Sequence, residues 1–468
     1  MPEALAKATE VVRTLRQRGH QAYLVGGCVR DVLLKREPAD YDVATDATPD
    51  EVMRIFPRTW AVGAQFGVVL VPVKEEKQVL RSAQDDKKEA QQQVLRYAQD
   101  DKASGVVEVA TFRSDGLYTD GRHPDQVTYT RDPKEDVQRR DFTINGLLLD
   151  PLNNEVLDYV GGRADLNAGI IRTIGQPERR FAEDKLRMLR AVRFAARFRY
   201  QIDPATFEAI RALRSEIHQV SRERVRDEIV KMLTEGHARR AFELLDQTGL
   251  LKEVLPEVDR MHGVEQPPQF HPEGDVWVHT LLLLEGLPEK TAPTLAMGAL
   301  LHDVGKPPTF RVAPDRIRFD GHVEVGVRMA EEICHRLRFS NHDTEQIALL
   351  VANHMRFADV QEMKPATLKR FFRLPRFDEH LELHRLDCLA SHRDLTLYNF
   401  AREKLAEMPA EQIRPKPLLT GDDLIAMGYT PGPQFKQMLA AVEDGQLEGR
   451  LGDPGQARAF VLGEFPRP

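Results

Sequence analysis

The hydrophobic pattern of this chain changes once, and the change limits the fold more than any other sequence feature. From about residue 21 to 150, short Val-rich runs bounded by Gly or Asp predict β-strands: AYLVGG, YDVAT, GVVLVPV and VVEVATF. From about residue 176, apolar residues recur at three- and four-residue steps, which predicts long helices: PERRFAEDKLRMLRAVRFAARF, and RERVRDEIVKMLTEGHARRAFELLDQTG ending at Gly249. The predicted fold class is α+β, with a mixed α/β head followed by an all-helical body.

The composition is that of a soluble globular chain. Its 468 residues exceed one ordinary core, so we expect two to four domains. Apolar residues make up 41% and charged residues 30%, and no run approaches the roughly 18 apolar residues of a membrane span. The N-terminus has the pattern of an amphipathic helix rather than of a signal peptide. Three distant cysteines indicate reduced thiols in a cytoplasm: Cys28, Cys334 and Cys388.

We divide the chain into four parts. Residues 1–150 form the head, and residues 151–265 form a helical neck and body. The Pro-rich stretch GVEQPPQFHPEGD marks the boundary before a second helical domain at 266–410. A small helical tail at 411–468 follows RPKPLLTG.

A tandem repeat interrupts the head. QVLRSAQDDK at Gln78–Lys87 returns as QVLRYAQDDK at Gln93–Lys102, but two copies are too few for a solenoid. The repeat lies between two predicted strands, where loops accept long insertions at small entropic cost. We interpret residues 75–103 as an inserted surface excursion; a partner-binding helix is the alternative.

Two aspartates in ADYDVAT are the first candidate site. Side chains two residues apart in a strand point to the same face, so Asp40 and Asp42 should present paired carboxylates. Two adjacent like charges are tolerated when a divalent cation lies between them, and hard oxygen ligands suit Mg²⁺. Taken alone, this spacing is more often a solvated turn.

A glycine turn precedes the aspartates. In LVGGCVRD, Gly26 and Gly27 would let the backbone approach a phosphate, and the following helix offers free N–H donors. Arg30 in the first turn would hold the same phosphates. Farther along, Glu108 in VVEVATF is either a third catalytic carboxylate or an edge-strand glutamate facing water.

Three motifs in order resemble one family. GGCVRD with DYD, RRDFTINGL and EDKLRMLRAVRF are similar to motifs of the bacterial tRNA nucleotidyltransferase and poly(A) polymerase family, in the polymerase β-like superfamily. The resemblance spans about residues 20–250. It implies a head, neck, body and tail, ATP and CTP as substrates, and a tRNA 3′ end as acceptor. Mg²⁺ held by Asp40 and Asp42 would activate the RNA 3′-hydroxyl and stabilise the leaving pyrophosphate.

The resemblance also implies roles for the later motif residues. Arg140 would position the nucleotide, and Asp141 and Asn145 would have a ribose-side or structural role. In the neck, Asp184 and Arg187 would read the base edge, since together they offer acceptor and donor groups. Arg190 and Arg193 would add nucleotide contacts along the same helix face. An ordinary basic helix surface is the alternative interpretation.

A second constellation follows the Pro-rich boundary. His279 lies in VWVHTLLLL, His302 and Asp303 lie in LLHDVGKPPTF, and Asp387 lies in RLDCLASH. This ordered set H…HD…D resembles the HD phosphohydrolase superfamily, whose helical bundle holds a divalent metal. Imidazoles combined with carboxylates suit Mn, Fe, Co or Ni. The expected metal ligands are His279, His302, Asp303 and Asp387. The expected accessory residues, for a second metal position or for phosphate, are His322, His354 and Lys306.

The leading hypothesis is a template-independent enzyme that builds or repairs the tRNA CCA end and carries an auxiliary HD phosphatase or phosphodiesterase. A poly(A) polymerase, or an enzyme adding only CC or only A, would share these motifs. An HD nucleotide hydrolase with an RNA-binding head is the alternative of a different class. The intact Asp40 and Asp42 pair argues against it. Oligomeric state stays open.

Overall fold

The computed structural model describes residues 3–57, 59–61, 67–72, 106–116, 126–269 and 271–465. The tandem-repeat insertion at 75–103 lies outside the described residues. Two compact units divide the chain, one of Met1–Glu228 with Arg240–Val254 and the other of Ile229–Arg239 with Leu255–Pro468. None of the helices in the described ranges combines the length and apolar character needed to cross a membrane.

The first unit is built on a mixed sheet. The strands of this unit are β1 (Ala22–Val25), β2 (Asp42–Thr45), β3 (Trp60–Ala61), β4 (Val68–Pro72), β5 (Val106–Thr111), β6 (Arg113–Asp115), β7 (Val127–Tyr129), β8 (Leu147–Asp150), β9 (Glu155–Asp158), β10 (Ile170–Ile171) and β11 (Gln201–Ile202). The mixed sheet has the strand order β3-β4-β5-β2-β1-β8-β9, with β2 and β5 parallel and the other neighbours antiparallel. The remaining strands form two separate pairs, β6 with β7 and β10 with β11. All four predicted strands are present, whereas β8 and β9 were not predicted.

Helices flank the sheet and then replace it along the chain. The predicted amphipathic N-terminal helix is confirmed, and it buries Val11, Val12 and Leu15. The helices that lie wholly or partly in this unit are α1 (Glu3–Gln17), α2 (Gly27–Leu33), α3 (Pro49–Ile55), α4 (Pro133–Gln138), α5 (Gly162–Ala168), α6 (Pro177–Glu183), α7 (Leu186–Phe198), α8 (Pro204–Leu213), α9 (Arg222–Thr234), α10 (Ala238–Thr248) and α11 (Leu250–Val254). Short 3₁₀ helices lie at Thr143–Asn145 and Arg214–Gln219.

Both long predicted helices are divided in the structure. The first breaks at Asp184, whose backbone is extended, between α6 and α7. The second breaks between α9 and α10, where Gly236 and His237 have φ of 90° and 60°. Apolar periodicity continues across both breaks, so the sequence pattern alone does not reveal them. Gly249, with φ of 75°, ends α10 as predicted.

The second unit is mainly helical. Besides the hairpin of β12 (Arg311–Val312) and β13 (Ile317–Arg318), it has a 3₁₀ helix at His354–Asp359. Its remaining helices are α12 (Pro256–Asp259), α13 (Val276–Glu285), α14 (Pro293–Leu301), α15 (Lys306–Thr309), α16 (His322–Arg336), α17 (Asn341–Asn353), α18 (Pro365–Phe372), α19 (Phe377–Ala390), α20 (Thr396–Glu407), α21 (Ala410–Ile413), α22 (Gly421–Ala426), α23 (Pro433–Leu447) and α24 (Pro454–Glu464).

Close backbone packing holds the loop after Asp303 against the start of α16. A Cβ added at Gly305 would lie 2.1 Å from the His322 carbonyl oxygen and 2.6 Å from the Gly326 backbone nitrogen. Backbone atoms cannot swing aside as a flexible side chain can. Position 305 therefore has no room for a side chain. This close contact fixes His322 relative to Asp303.

We predict that Gly305→Ala destabilises the second unit by about 1–3 kcal/mol, the usual cost of overpacking. Urea denaturation in a Trp60→Phe background would measure this, because Trp277 then reports on the second unit alone. Gly463→Ala in α24, where no atom lies within 4 Å of the added carbon, is the matched control and should keep or raise the midpoint, because alanine favours a helix more than glycine does. An unchanged midpoint for Gly305→Ala would contradict the packing argument.

Candidate functional sites

The register of β2 and β5 brings two carboxylates together. Asp42 and Glu108 are paired residues of the parallel strands, so their side chains leave the same face of the sheet. Glu108 is exposed although β5 lies between β4 and β2, so the edge-strand interpretation is wrong. Asp42 is the first residue of β2, and Asp40 is exposed just before it rather than inside the strand as predicted. Tyr41 and Val43, which alternate with the two aspartates along the chain, are buried.

An apolar cluster supports the same face of the sheet. Val25 pairs with Asp42 in the antiparallel β1–β2 ladder, and Ala44 lies two residues beyond Asp42. Val25 and Ala44 belong to a buried apolar cluster that also contains Val137 of α4. The carboxylates therefore extend from the rim of a packed surface, which fixes the strands that carry them.

The glycine turn directly adjoins Asp42. Gly26 follows Val25, has φ of 78°, and caps α2. Only glycine adopts this conformation at little cost. A Cβ at Gly26 would lie 3.4 Å from Arg140 Nη1, so the predicted nucleotide-positioning arginine approaches this turn. Gly27 is the first helical residue of α2 and does not share the left-handed conformation.

Arg30 occupies an interior position in this structure. It is 4% exposed and donates to Asp31 and to Asn145 Oδ1, at 2.7 Å for the latter. Its guanidinium also lies 4.5 Å from the Phe198 ring centroid. Arg30 therefore ties α2 to later elements of the unit, and its phosphate-binding role stays a prediction.

Asp141 continues this network to the neck. Asn145 Nδ2 donates to Asp141 Oδ1 at 3.0 Å, and Arg190 donates to Asp141 Oδ2 through Nε at 2.9 Å and Nη2 at 2.6 Å. Burial alone would raise the pKa of Asp141, but the charge of Arg190 and the hydrogen bond from Asn145 hold it below its ordinary value. A chain of buried polar contacts thus links α2 through the 3₁₀ turn to α7.

The three neck arginines have different partners. Arg187 Nη1 donates to Glu183 at 2.8 Å, and Arg193 Nε donates to the buried Glu228 at 2.7 Å. Asp184 lies at the break before α7 and accepts from Arg224 Nη2 at 2.7 Å rather than from Arg187. Asp184 and Arg187, the predicted base-reading pair, therefore bond to other residues and not to each other. Their role in reading the base stays a prediction.

A cluster of imidazoles and carboxylates forms the second site, within the second unit. His279 Nε2 lies 3.3 Å from His302 Nε2 and 3.2 Å from Asp387 Oδ1. These three residues, from α13, the end of α14 and α19, converge as a possible ligand set. Asp303 Oδ2 lies 3.2 Å from His302 Nε2, so all four predicted ligands meet.

A second ligand set contains Asp303. Asp303, His322 and His354 present ligand atoms close enough to hold one ion, and His354 Nε2 lies 3.7 Å from Asp303 Oδ1. Asp303 Oδ1, His322 Nε2 and His354 Nε2 are buried without a hydrogen-bond partner among the described residues. Buried polar atoms normally have a partner, so this donor set fits a divalent metal. Asp303 is placed to serve both sets.

Backbone carbonyls fix the orientation of these imidazoles. The Nδ1 atoms of His302, His322 and His354 lie 2.9, 3.0 and 2.7 Å from the carbonyl oxygens of Ala299, Phe319 and Val351. A carbonyl oxygen can only accept, so each Nδ1 carries a proton and each Nε2 is the nitrogen that faces the cluster. Burial lowers the pKa of His322 and of His354, so the Nε2 atoms of these two present lone pairs. This is the tautomer that a metal ligand needs.

Burial and the neighbouring carboxylates shift the pKa values of two of these histidines in opposite directions. Burial lowers the pKa of His354 to about 4, which keeps it neutral. Burial also disfavours charge on His279, but hydrogen bonds with Asp387 and Glu273 overcome this and raise its pKa to about 9. The carboxylates of Asp387 and Glu273 thus stabilise positive charge at His279.

The Pro-rich stretch, predicted only as a boundary, contributes to the site. Glu273 Oε1 accepts from His279 Nδ1 at 2.7 Å and lies 2.9 Å from His271 Nδ1. Gln266 Oε1 accepts from Lys306 Nζ at 2.7 Å, and Lys306 Nζ lies 2.7 Å from Asp303 Oδ2. His271 and Glu273 in HPEGD, two residues apart, were the available signal, since both residue types can serve a metal centre.

Three family models match the chain in order. A model described as the poly A polymerase head domain matches residues 22–172, and one described as a probable RNA and SrmB-binding site of polymerase A matches residues 199–261. An HD domain model matches residues 275–389. With the head sheet and its carboxylates, these matches define a nucleotidyltransferase that also carries an HD domain.

Curated relatives narrow the class. The CCA-adding enzyme of Bacillus subtilis is 40% identical over 254 residues, 54% of this chain and 56% of that enzyme. The CCA-adding enzyme of Lactobacillus johnsonii is 35% identical over 297 residues, 63% of this chain and 67% of that enzyme. The chain belongs to the CCA-adding enzyme family, which confirms the family resemblance. The matched segments span just over half to two thirds of these relatives.

Solved structures share the fold. The Bacillus stearothermophilus CCA-adding enzyme in complex with CTP has a TM-score of 0.70 and 25% identity, covering 99% of this chain and 98% of that one. The Thermotoga maritima CCA-adding enzyme complexed with tRNA has a TM-score of 0.56 and 18% identity, covering 99% and 96%. The second is a likeness of fold alone. The α+β prediction, with a mixed head and a helical body, is confirmed.

We predict that Glu273→Gln weakens Mn²⁺ binding at the second site by about 10- to 100-fold, because outer carboxylates orient metal-bound histidines and raise their basicity. Isothermal titration calorimetry of the full chain would measure the affinity. Glu407→Gln, on the exposed end of α20, is the matched control. Wild-type affinity in Glu273→Gln would contradict the role of this contact.

Proposed function

We propose that this protein adds CMP and AMP from CTP and ATP to the 3′ end of tRNA without a template, and so builds or repairs the CCA terminus. The observation that carries the proposal is the pairing of Asp42 with Glu108 beside the Gly26 turn. The names of the relatives support the tRNA acceptor and the choice of nucleotides. Because the matched segments span only part of these relatives, the substrates of this chain are to be established by direct assay.

The head residues would have two different roles in this reaction, metal binding and nucleotide positioning. Asp40, Asp42 and Glu108 would hold Mg²⁺, which neutralises triphosphate charge and makes the RNA 3′-hydroxyl a better nucleophile when bound. Arg140 would keep the nucleotide against the Gly26 turn, since its guanidinium already approaches it. The reaction then needs little from the protein beyond positioning and charge stabilisation.

The polar network would set the position of the neck relative to this turn. Arg190 is anchored through Asp141 and Asn145 to Arg30 of α2. A base lying against α7 would therefore be held at a fixed distance from the triphosphate. We propose Asp184 and Arg187 as the residues that read its edge, after exchanging the partners described above.

We propose metal-dependent phosphoester hydrolysis as a second activity. The observation that favours it is the pair of adjacent ligand sets, joined by the 3.2 Å approach of Asp303 Oδ2 to His302 Nε2, with the Nε2 atoms of His322 and His354 in fixed directions. A transition metal such as Mn, Fe, Co or Ni would be bound there by His279, His302, Asp303 and Asp387. Such an ion supplies Lewis acidity toward a phosphoryl oxygen. Lys306 is close enough to Asp303 to contact the same phosphate.

A reducing cytoplasm is the proposed location. Cys28, Cys334 and Cys388 are all buried and free of disulfides. Burial raises the pKa of each thiol to about 12, so all three stay protonated and unreactive. They are used as small apolar side chains, which suits a compartment where disulfides do not form.

We predict that the purified protein adds two C residues and then one A to tRNA ending at the discriminator base, and that Asp42→Asn slows addition about 1,000-fold or more. Metal-ion stabilisation contributes several kcal/mol, and 1.4 kcal/mol is tenfold in rate. Gel analysis with CTP and ATP, singly and together, would measure both. Asp50→Asn in α3, also in the first unit and exposed, is the control. A long A tail, or full-speed addition by Asp42→Asn, would contradict the proposal.

We predict that Asp303→Ala abolishes Mn²⁺-dependent phosphate release and leaves nucleotide addition within about twofold of wild type. The reason is that Asp303 belongs to one ligand set of the second unit and lies 3.2 Å from His302 of the other, whereas the head carboxylates belong to the first unit. Both activities would be assayed on one preparation whose circular dichroism matches the wild type. Equal loss of both activities in a folded variant would refute independent sites.

A further inference from the structure

A small hairpin lies in the chain between two residues of the HD centre. β12 and β13 form it, after Asp303 and before His322. It exposes two large apolar side chains, since Val312 is 71% exposed and Phe310 38% exposed. Neither CCA addition nor metal binding explains why large apolar side chains face solvent here.

The hairpin is continuous with the metal-ligand cluster. Lys306 Nζ, which is 2.7 Å from Asp303 Oδ2, also lies 5.4 Å from the Phe319 ring centroid. Phe319 in turn lies 6.0 Å from Phe310, centroid to centroid, at an angle of 49°. The aromatic pair therefore begins where the charged centre ends and leads outward to solvent.

Arginines border the aromatic pair. Arg311 and Arg318 pair with Asp320 and Asp315, each at 2.9 Å, on an exposed rim. Exposed pairs of this kind exchange partners at little cost, because their net strength is small. Their guanidinium groups are thus available to a passing phosphate, with Arg316 also exposed beside them.

We propose that Phe310, Val312 and Phe319 form a nucleobase-binding wall that gives the HD centre its specificity for nucleotides. The inference rests on the phosphohydrolase function proposed above. A nucleoside phosphate separates its phosphate and its base by one sugar, so a phosphate beside Lys306 would bring the base to the aromatic pair. Every base has a π-face that an aromatic side chain can stack on, and the surrounding arginines suit an RNA strand.

The wall discriminates between phosphoesters with and without a base. Stacking one base on an aromatic side chain is worth about 1–3 kcal/mol, or roughly 5- to 150-fold in affinity. A small phosphoester such as glycerol 2-phosphate reaches the metals but gains nothing from the hairpin. The specificity ratio between the two kinds of substrate is therefore the quantity that the hairpin controls.

Phe310→Ala tests the proposal in the full chain loaded with Mn²⁺. It should lower kcat/KM for adenosine 3′-phosphate about tenfold and leave glycerol 2-phosphate within twofold. Phe310→Trp should restore the nucleotide preference, because a larger ring stacks at least as well. Leu462→Ala, another exposed apolar residue of the second unit, should change neither substrate. An equal loss on both substrates would overturn the proposal.

A binding readout separates this proposal from the hydrolase proposal on which it rests. Hydrogen exchange of the wild type loaded with Mn²⁺ should show a non-hydrolysable phosphonate analogue of adenosine 3′-phosphate protecting peptides over 310–319, and Phe310→Ala should abolish the protection. If wild-type enzyme releases no phosphate from either substrate, the hydrolase function fails while this protection still supports the wall. Absent protection, or protection that depends on protein concentration instead of nucleotide, overturns the wall.

Discussion

The parallel pairing of β2 with β5 is the constraint on which the head depends. It places Asp42 beside Glu108, while the antiparallel pairing of β2 with β1 places Asp42 beside Val25 and the Gly26 turn. A register shift of one residue would turn every side chain of a strand to the other face. Burial of Val43 and Val109 on the opposite face resists that shift, so the core holds the carboxylates in position.

The head carboxylates and the HD centre differ in how far their charged groups are buried. In the head, the acids lie at an accessible face, where a triphosphate and its Mg²⁺ can enter together. In the HD centre, His302, His354 and Asp303 are almost fully buried, and protonation at Nδ1 is fixed by backbone carbonyls. The first arrangement suits metal that arrives with substrate, and the second suits metal that remains in the protein.

Local sequence patterns predicted what depends on local physics. Alternation and Val content located β1, β2, β4 and β5, and the ordered His and Asp residues located the HD cluster. Long-range pairing was not predictable: the neighbours of Glu108, the acceptor of Arg30 and the contact of Glu273 with His279 depend on how distant segments meet. The breaks at Asp184 and His237 were missed because apolar periodicity continues across them. Site roles assigned by resemblance remain predictions.

Diffraction from crystals grown with Mn²⁺ and a non-hydrolysable CTP analogue would test the central claim most directly. Anomalous differences at the Mn edge locate the ions independently of any structural assumption. The account predicts Mn²⁺ bound by Asp42 together with Asp40 or Glu108, in contact with the triphosphate. A triphosphate clearly bound in the head with no Mn²⁺ at any of these three carboxylates would contradict it.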